Sequence, residues 1–295
     1  GPYETKVLID DDINYAGAGV HQGGYIETAE GESWAYTFQD RDYMGRCLML
    51  YPMKWEDDWP VVGPEGRPGK GVVTYRKPLV KGKHKMNYPQ HSDSFDQPEL
   101  AQIWEFNHVP HKEKWSLTDR PGYFRIYAQH AKGFYWARNS LTQKVTGPYS
   151  TGTVSLDLSG LKEGDFAGNG IMGRIMYQFG VRKKGDSYWL EMREGNRDEA
   201  EVVVDSLELK DISRIYLRTE TTKEGAIRFH YSLDNRVYHR FGPEGVSNFW
   251  GFLGIRHALC CYNVMKGNPC GYADFDYFEL ESAHRGNHYD AFAGV

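Results

Sequence analysis

Apolar residues in this chain recur at every second position, and the three-to-four spacing of an amphipathic helix is almost absent. Trp34, Tyr36 and Phe38 alternate in WAYTF, Phe124, Ile126 and Ala128 in YFRIYAQ, Val154, Leu156 and Leu158 in TVSLDLSG, and Ile227, Phe229 and Tyr231 in IRFHYS. In extended chain, successive side chains point to opposite faces, so each run buries one face and leaves the other for water or a second layer. Polar turn residues separate the runs, as in AEGE before WAYTF and at Asp234 and Asn235 after IRFHYS. Such a chain has to build antiparallel sheets, with helix confined to small pieces.

Two stretches of strands are separated by a poorly patterned segment. In the first, AEGE closes a hairpin between YIET and WAYTF. On the following strand Cys47, Met49 and Tyr51 face one way and Leu48 and Leu50 the other. WEDDWPVVGPEG then bends, and Pro60 and Pro64 cannot donate to a central ladder. Three short strands with tight turns look like one blade of a propeller. From Gly63 to about Gln90 the chain is rich in Gly, Pro and Lys and reads as a linker, with VVTY as an optional short strand. A second pattern begins at Asp93. It adds candidate strands at 188–192, 201–209, 212–217, 254–262 and 271–280 to those above, about ten to twelve in all, which argues for an antiparallel β-sandwich. The expected domains are 1–90 and 91–295, and no repeat at fixed spacing is visible.

A length of 295 residues with 40% apolar content suffices for one large or two ordinary cores. Aromatics reach 15%, with 21 Tyr and 8 Trp, which fits either strand formers or sugar-stacking surfaces. The net charge of -5 opposes phosphate backbones. The basic run RKPLVKGKHK (76–85) is short and broken by Pro and Gly, so it reads as solvated linker, and no nucleic-acid partner is expected. No run of eighteen apolar residues exists, so no membrane partner is expected either. Four Cys stand at 47, 260, 261 and 270. Cys260 and Cys261 should face opposite sides of a strand, and either is a candidate to pair with Cys270; no zinc motif is present. Gly1 is not followed by a charged and then an apolar leader region, and localisation is left open.

Few residues stand out as chemistry. His21 lies in GVHQGG, where three neighbouring glycines let backbone approach closely; it is either a turn residue or part of a site. Arg46, in MGRCLML, would either pair with Asp40 or Asp42 or present its guanidinium fork to a ligand. Trp55 and Trp59 bracket Glu56, Asp57 and Asp58. Three adjacent acids on one loop cannot straddle a bond as an acid–base pair does, and they read as solvated. No nucleophile elbow, P-loop or dinucleotide fingerprint competes.

The segment GVHQGGYIETAEGESWAYTFQDRDYMGRCLMLYPMKWEDDWPVVG (19–63) resembles the last-blade region of glycoside hydrolase family 43. These are five-bladed-propeller enzymes that cleave xylose- and arabinose-containing polysaccharides. DSFDQPELAQIWEFNHVP (93–110), KWSLTDRPGYFRIYA (114–128), NSLTQKVTGP (139–148) and GYADFDYFEL (271–280) are similar to the C-terminal domain of the xylosidase and arabinofuranosidase branches. The resemblance implies an all-β fold, a fragment of a five-bladed β-propeller followed by a concanavalin-like antiparallel β-sandwich. It implies that His21 lines the propeller channel and holds a calcium, directly or through water. It places Arg46 beside the sugar subsite as support for catalysis, with His21, Gln22 and Phe38 as further substrate contacts; Phe38 and Gln39 face opposite ways, so at most one looks into the channel.

The resemblance also makes the tryptophans of 55–59 a structural closure and sends a loop of the sandwich toward the pocket. A structural calcium is expected at Asp93 and Asp276, because first and last strands of such sandwiches lie side by side; no organic cofactor is expected. The family's three acids belong upstream of Gly1, and Glu4 is not one of them. The rest of the propeller is therefore expected elsewhere in the same parent protein or on a companion chain, and this chain by itself is expected to be inactive. The reaction would be inverting hydrolysis of a xylosyl or arabinosyl bond in an oligosaccharide or polysaccharide. Two other readings stand beside it: a non-catalytic carbohydrate-binding sandwich, and a purely structural sandwich.

Overall fold

Residues 20–62 form a four-stranded antiparallel sheet of β1 (Val20–Glu27), β2 (Ser33–Asp40), β3 (Arg46–Glu56) and β4 (Trp59–Val62), paired in chain order. The structure is a computed structural model and describes residues 1–15, 17–83, 90–247 and 251–282. The β1–β2 hairpin closes over the expected AEGE turn, with Thr28 Oγ1 accepting the Glu32 N–H at 3.1 Å. The β3–β4 hairpin turns on Asp57 (φ 47°) and Asp58 (φ 64°), two residues with positive φ. That pair matches the twist of the flanking strands, and aspartate tolerates the conformation better than most residues. Pro60 lies on the edge strand β4, where its missing donor costs nothing.

The two faces of β3 are as the alternation predicts, but on β2 the covered face is Ala35, Thr37 and Gln39, and Tyr36 and Phe38 lie on the open face opposite Leu50 and Leu48. Ala35, Tyr51, Met53 and Val62 are buried on one face with Ile13, covered by Leu8, Ile9 and Val72. Leu48 and Leu50 point to the other face and are exposed. The segment expected to be a solvated linker is partly tied down. Asp11 accepts the N–H groups of Ile13 and Gly71, Tyr75 packs edge-on against Trp34 at 5.9 Å, and Arg76 and the Leu79 N–H both reach Glu32. Glu32 is the residue the composition argument missed: one acceptor in the β1–β2 turn holds the basic run against the sheet. VVTY forms no strand.

The remainder of the described chain is two antiparallel sheets face to face. One is ordered His239–Arg240, Ala226–Ser232, Arg214–Thr221, Ser150–Asp157, Tyr272–Ser282, Phe124–Tyr127, Trp115–Ser116. The other runs Val202–Leu209, Ser187–Gly195, Met176–Lys184, Asp165–Met172, Arg256–Asn263, Leu141–Lys144, Glu105–Phe106. Their inner faces supply one apolar core, including Phe124, Val154, Leu156, Phe179, Ile215, Leu217, Phe229, Phe275 and Phe278. Among the described residues helix is limited to three 3-10 turns, Asp42–Met44, Lys112–Lys114 and Phe134–Trp136.

Two central strands, Asp165–Met172 and Met176–Lys184, are absent from the strands expected; the first carries no alternation, whereas Tyr177, Phe179 and Val181 do alternate in the second. Both of their faces are buried: Phe134 and the residues about it cover the outer side in a second apolar cluster with Phe166, Met172 and Met176. A strand covered on both faces, as Asp165–Met172 is, has no need of the period-two signal. Cys260 lies in that outer cluster and Cys261 in the main core, on opposite faces as expected. All four thiols are free, so the candidate pairing with Cys270 is not made. The entry into the sandwich does lie beside its last strand, where the Asp93 N–H donates to Phe278 O at 2.8 Å and Phe278 returns the bond.

Candidate functional site at the seam

The local backbone of GVHQGG is set by a bulge. The β1–β2 register slips between His21 and Gly23, and Gln22 takes φ 45°. A Cβ on Gly23 would come within 1.8 Å of Tyr36 O, so only glycine fits there. The bulge leaves His21 on the same face of the sheet as Phe38, Asp40 and Arg46 and turns Gln22 toward Arg46. His21 Nε2 lies 3.5 Å from Asp40 Oδ2, Arg46 Nε donates to Asp40 Oδ1 at 3.2 Å, and Arg46 Nη1 donates to Gln22 Oε1 at 2.7 Å. Of the two acids weighed for Arg46, Asp40 is the partner; Asp42 instead accepts from the Tyr15 hydroxyl. Phe38 rather than Gln39 faces this cluster. Gln39 is buried on the opposite side, its Nε2 donating to Asp12 O at 2.5 Å and Ala18 O at 2.6 Å.

The sandwich completes the arrangement. Arg46 lies with its guanidinium carbon 3.7 Å from the centre of the Phe252 ring, and the Arg46 N–H donates to Phe252 O at 3.0 Å. The β2–β3 connection is wedged into the sandwich core. Tyr43 and Met44 are both buried there, and the Tyr43 hydroxyl donates to Pro148 O at 2.8 Å, with Thr222 O at 3.3 Å. Burial pushes that hydroxyl up to about 12, so it stays a donor at any physiological pH. The Ile255 N–H donates to Tyr43 O at 2.8 Å. Gly45 (φ 70°) and Gly254 (φ 73°) let the two backbones meet: a Cβ on Gly45 would be 2.3 Å from Gly254 N, and one on Gly254 2.5 Å from the Met44 carbonyl carbon.

Phe252 is the site residue that alternation did not reveal. It belongs to SNFWGFLG (247–254), an aromatic run interrupted by glycines, of which residues 248–250 lie outside the described ones. Through Phe252 this loop of the sandwich meets the face of the four-stranded sheet that carries Arg46. A cleft of about 370 Å³ opens along the seam between Phe38, Arg46 and Phe252 on one side and Gln90, Ile103, Glu105, Lys144 and Arg256 on the other.

The other candidates lie elsewhere. Glu56, Asp57 and Asp58 form the exposed β3–β4 turn, with Glu56 paired to Lys54 at 2.5 Å, and Trp55 meets Tyr25 edge to face at 5.3 Å. The Asp93 carboxylate accepts from Phe95 N–H at 2.9 Å and Trp104 Nε1 at 2.8 Å. The Asp276 carboxylate accepts from Arg214 Nη1 at 2.5 Å, with Ser155 Oγ at 3.4 Å. Among the described residues no three His, Cys, Asp or Glu side chains gather as a metal site. At the seam the donors are one imidazole and one carboxylate, the latter already shared with a guanidinium. That set would supply only a small part of the six to eight oxygens that calcium takes.

A lectin-like two-sheet sandwich with a four-stranded sheet wedged against it defines the class: a concanavalin A-like accessory domain bearing an adjoining blade. The family pattern described as "Beta xylosidase C-terminal Concanavalin A-like domain" matches residues 92–281. The chain belongs to glycoside hydrolase family 43, in its β-xylosidase and α-L-arabinofuranosidase branch. A β-xylosidase of Formosa agariphila is 31% identical over 95% of this chain and 51% of its own length. Among solved structures, a bifunctional GH43-CE protein of Bacteroides eggerthii is 33% identical, with a TM-score of 0.81 over 96% of this chain and 36% of its own. A GH43 glycoside hydrolase engineered to display both endo-xylanase and exo-arabinofuranosidase activity is 25% identical, with a TM-score of 0.84 over 96% of this chain and 58% of its own. The chain spans about half the length of the curated relatives it matches.

Proposed function

We propose that this chain is the C-terminal half of a glycosidase that hydrolyses xylosyl or arabinosyl bonds in hemicellulose, with inversion, and that it supplies substrate contacts rather than the acid and base. The observation that carries this reading is the junction of His21, Gln22, Asp40 and Arg46, all on one sheet, with Phe252 from a loop of the sandwich. An inverting mechanism needs two carboxyl groups about 6.5–9.5 Å apart with a water between them. The cluster holds one carboxylate, Asp40, and its oxygens face His21 and Arg46.

The acid and base therefore come from residues outside this chain, in the same parent protein or on a companion chain, with the four-stranded sheet acting as the final blade of a five-bladed propeller. The exposed Leu48 and Leu50 on the open face of the sheet support that reading, since a neighbouring blade would bury them. Arg46 and Phe252 then wall the sugar subsite, with His21, Gln22 and Phe38 about it. A calcium at His21 belongs to this proposal only if the missing oxygens come from the rest of the propeller and from water. Structural calcium at Asp93 and Asp276 would have to displace the donors that both carboxylates now hold.

The test is turnover of nitrophenyl β-xyloside and α-arabinofuranoside. The complete protein should release nitrophenol, and this chain alone should stay at background. A complete protein inactive on both sugars, or a chain active by itself, overturns the assignment.

A further inference from the structure

The cleft along the seam is lined by more cations than carboxylates. Its lining includes three cations, Arg46, Lys144 and Arg256, and one carboxylate, Glu105. Lys144 and Arg256 are cross-strand partners in Leu141–Lys144 and Arg256–Asn263, so they leave the sheet on the same face. Like charges placed directly opposite each other in a sheet repel. Arg256 is held in place, donating through Nη1 to Thr142 Oγ1 at 3.2 Å and through Nη2 to Asn107 Oδ1 at 3.3 Å, with the exposed Glu105 at 3.8 Å. Arg46 has Asp40. Lys144 pairs with no carboxylate among the described residues.

The rest of the lining is apolar: Phe38, Ile103, Phe252 and Leu253, with the Gln90 amide at the border. A small inorganic anion would answer the charge and leave these walls wet. A neutral pentose would use the walls and leave Lys144 unanswered. A pyranose with a carboxylate satisfies both, since its C–H face is apolar and its acid is ionised at neutral pH. The volume of about 370 Å³ falls within the range of about 300–1,000 Å³ usual for small-ligand sites.

We propose that the seam cleft is a subsite for a uronic acid unit, with Lys144 as the counter-ion of its carboxylate and Phe38 and Leu253 among its apolar walls. The inference rests on the reading of the seam as saccharide-binding, but it concerns binding by this chain and needs no turnover. On a substituted polysaccharide, the subsite would favour chains bearing acidic branches near the bond that is cut.

The experiment titrates this chain with methyl β-glucuronoside, methyl β-xyloside and inorganic phosphate, followed by calorimetry and by protein NMR shifts. The glucuronoside should bind at least tenfold more tightly than the xyloside, and its affinity should fall with added salt. Lys144→Met should weaken glucuronoside binding about tenfold and leave the xyloside unaffected, while Lys144→Arg should retain most of the affinity. Near-UV circular dichroism of both variants establishes that the fold is kept. Equal binding of the two glycosides, competition by phosphate at the concentration of the glucuronoside, or an unchanged Lys144→Met would each overturn the subsite. Because the readout is binding, a complete protein that failed to hydrolyse xylosides would sink the glycosidase assignment and leave this result standing.

Discussion

Arg46 donates through Nε to Asp40 and through Nη1 to Gln22, and its planar face rests on Phe252. A lysine could keep one of these three contacts, because an ammonium has neither the fork nor the flat face. Losing a charge-assisted hydrogen bond costs about 1.5–3 kcal/mol where it acts. In the complete enzyme, Arg46→Lys should therefore lower kcat roughly ten- to a hundredfold with a small change in Tm, if the bonds tighten as the sugar distorts. Steady-state kinetics on nitrophenyl xyloside checks this; an unchanged kcat would reduce Arg46 to a surface partner of Asp40. The sequence exposed His21 and Arg46 because glycines beside a lone imidazole and a lone guanidinium break the strand pattern. It left Asp40 and Asp42 equal as partners, since register alone decides between them. Phe252 was hidden, because its position follows from a loop crossing between two units distant in the chain.

The connection between β2 and β3 is only five residues long, and it does two jobs. Its centre, Tyr43 and Met44, fills the sandwich core; its end, Gly45, delivers Arg46 to the seam. Gly254 faces it with φ 73°, and any Cβ there meets the Met44 carbonyl at 2.5 Å. Gly254→Ala should thus destabilise the chain by at least about 1–3 kcal/mol from backbone strain alone and displace Phe252. Urea unfolding and the ring-current shifts about Arg46 report the two effects; a variant with wild-type stability would show that the backbones can part without cost. Hairpins such as β1–β2 were legible because turn residues and alternation agree there. Asp165–Met172 was not, since cover on both faces erases the alternation there; Met176–Lys184 does alternate, at Tyr177, Phe179 and Val181, so its signal was present in the sequence. The basic run beyond Gly63 looked free because the acceptor that holds it, Glu32, lies forty-four residues from Arg76.

Across the whole molecule, one buried histidine joins the two sheets of the sandwich. His257 Nδ1 lies 2.8 Å from Thr219 Oγ1 and its Nε2 3.0 Å from Ser150 Oγ, both on the facing sheet. Two hydroxyls suit a neutral ring, since either can give or take a hydrogen. Burial pushes the imidazole down to about 3, against about 6.5 in the unfolded chain. Below pH 6.5 the unfolded state binds the proton and the folded state refuses it, so this contribution is complete above pH 6.5 and is lost as the pH falls toward 3. His257→Gln removes the titration. The stability gap between the two proteins should narrow by about 2 kcal/mol from pH 7 to pH 5, read from urea unfolding at each pH; a gap independent of pH would show that the ring ionises while folded. The overall plan, strand-rich units before and after a Gly- and Pro-rich stretch, was open to sequence reading because alternation is a local property. The seam was not, because it is made by contacts between residues such as Tyr43 and Thr222, 179 positions apart.

The glycine-to-glycine contact also sets a rule for recombining members of this family. The stretch 63–90 looks like the natural crossover for joining the blade of one parent to the sandwich of another. Such a chimera would take residues 41–46 from the first parent and 252–255 from the second, two stretches whose backbones meet directly at Gly45 and Gly254, where no side chain can absorb a mismatch. Swaps that exchange both stretches as a single block should yield working hybrids, whereas a single cut between them should scatter the direction in which Arg46 points.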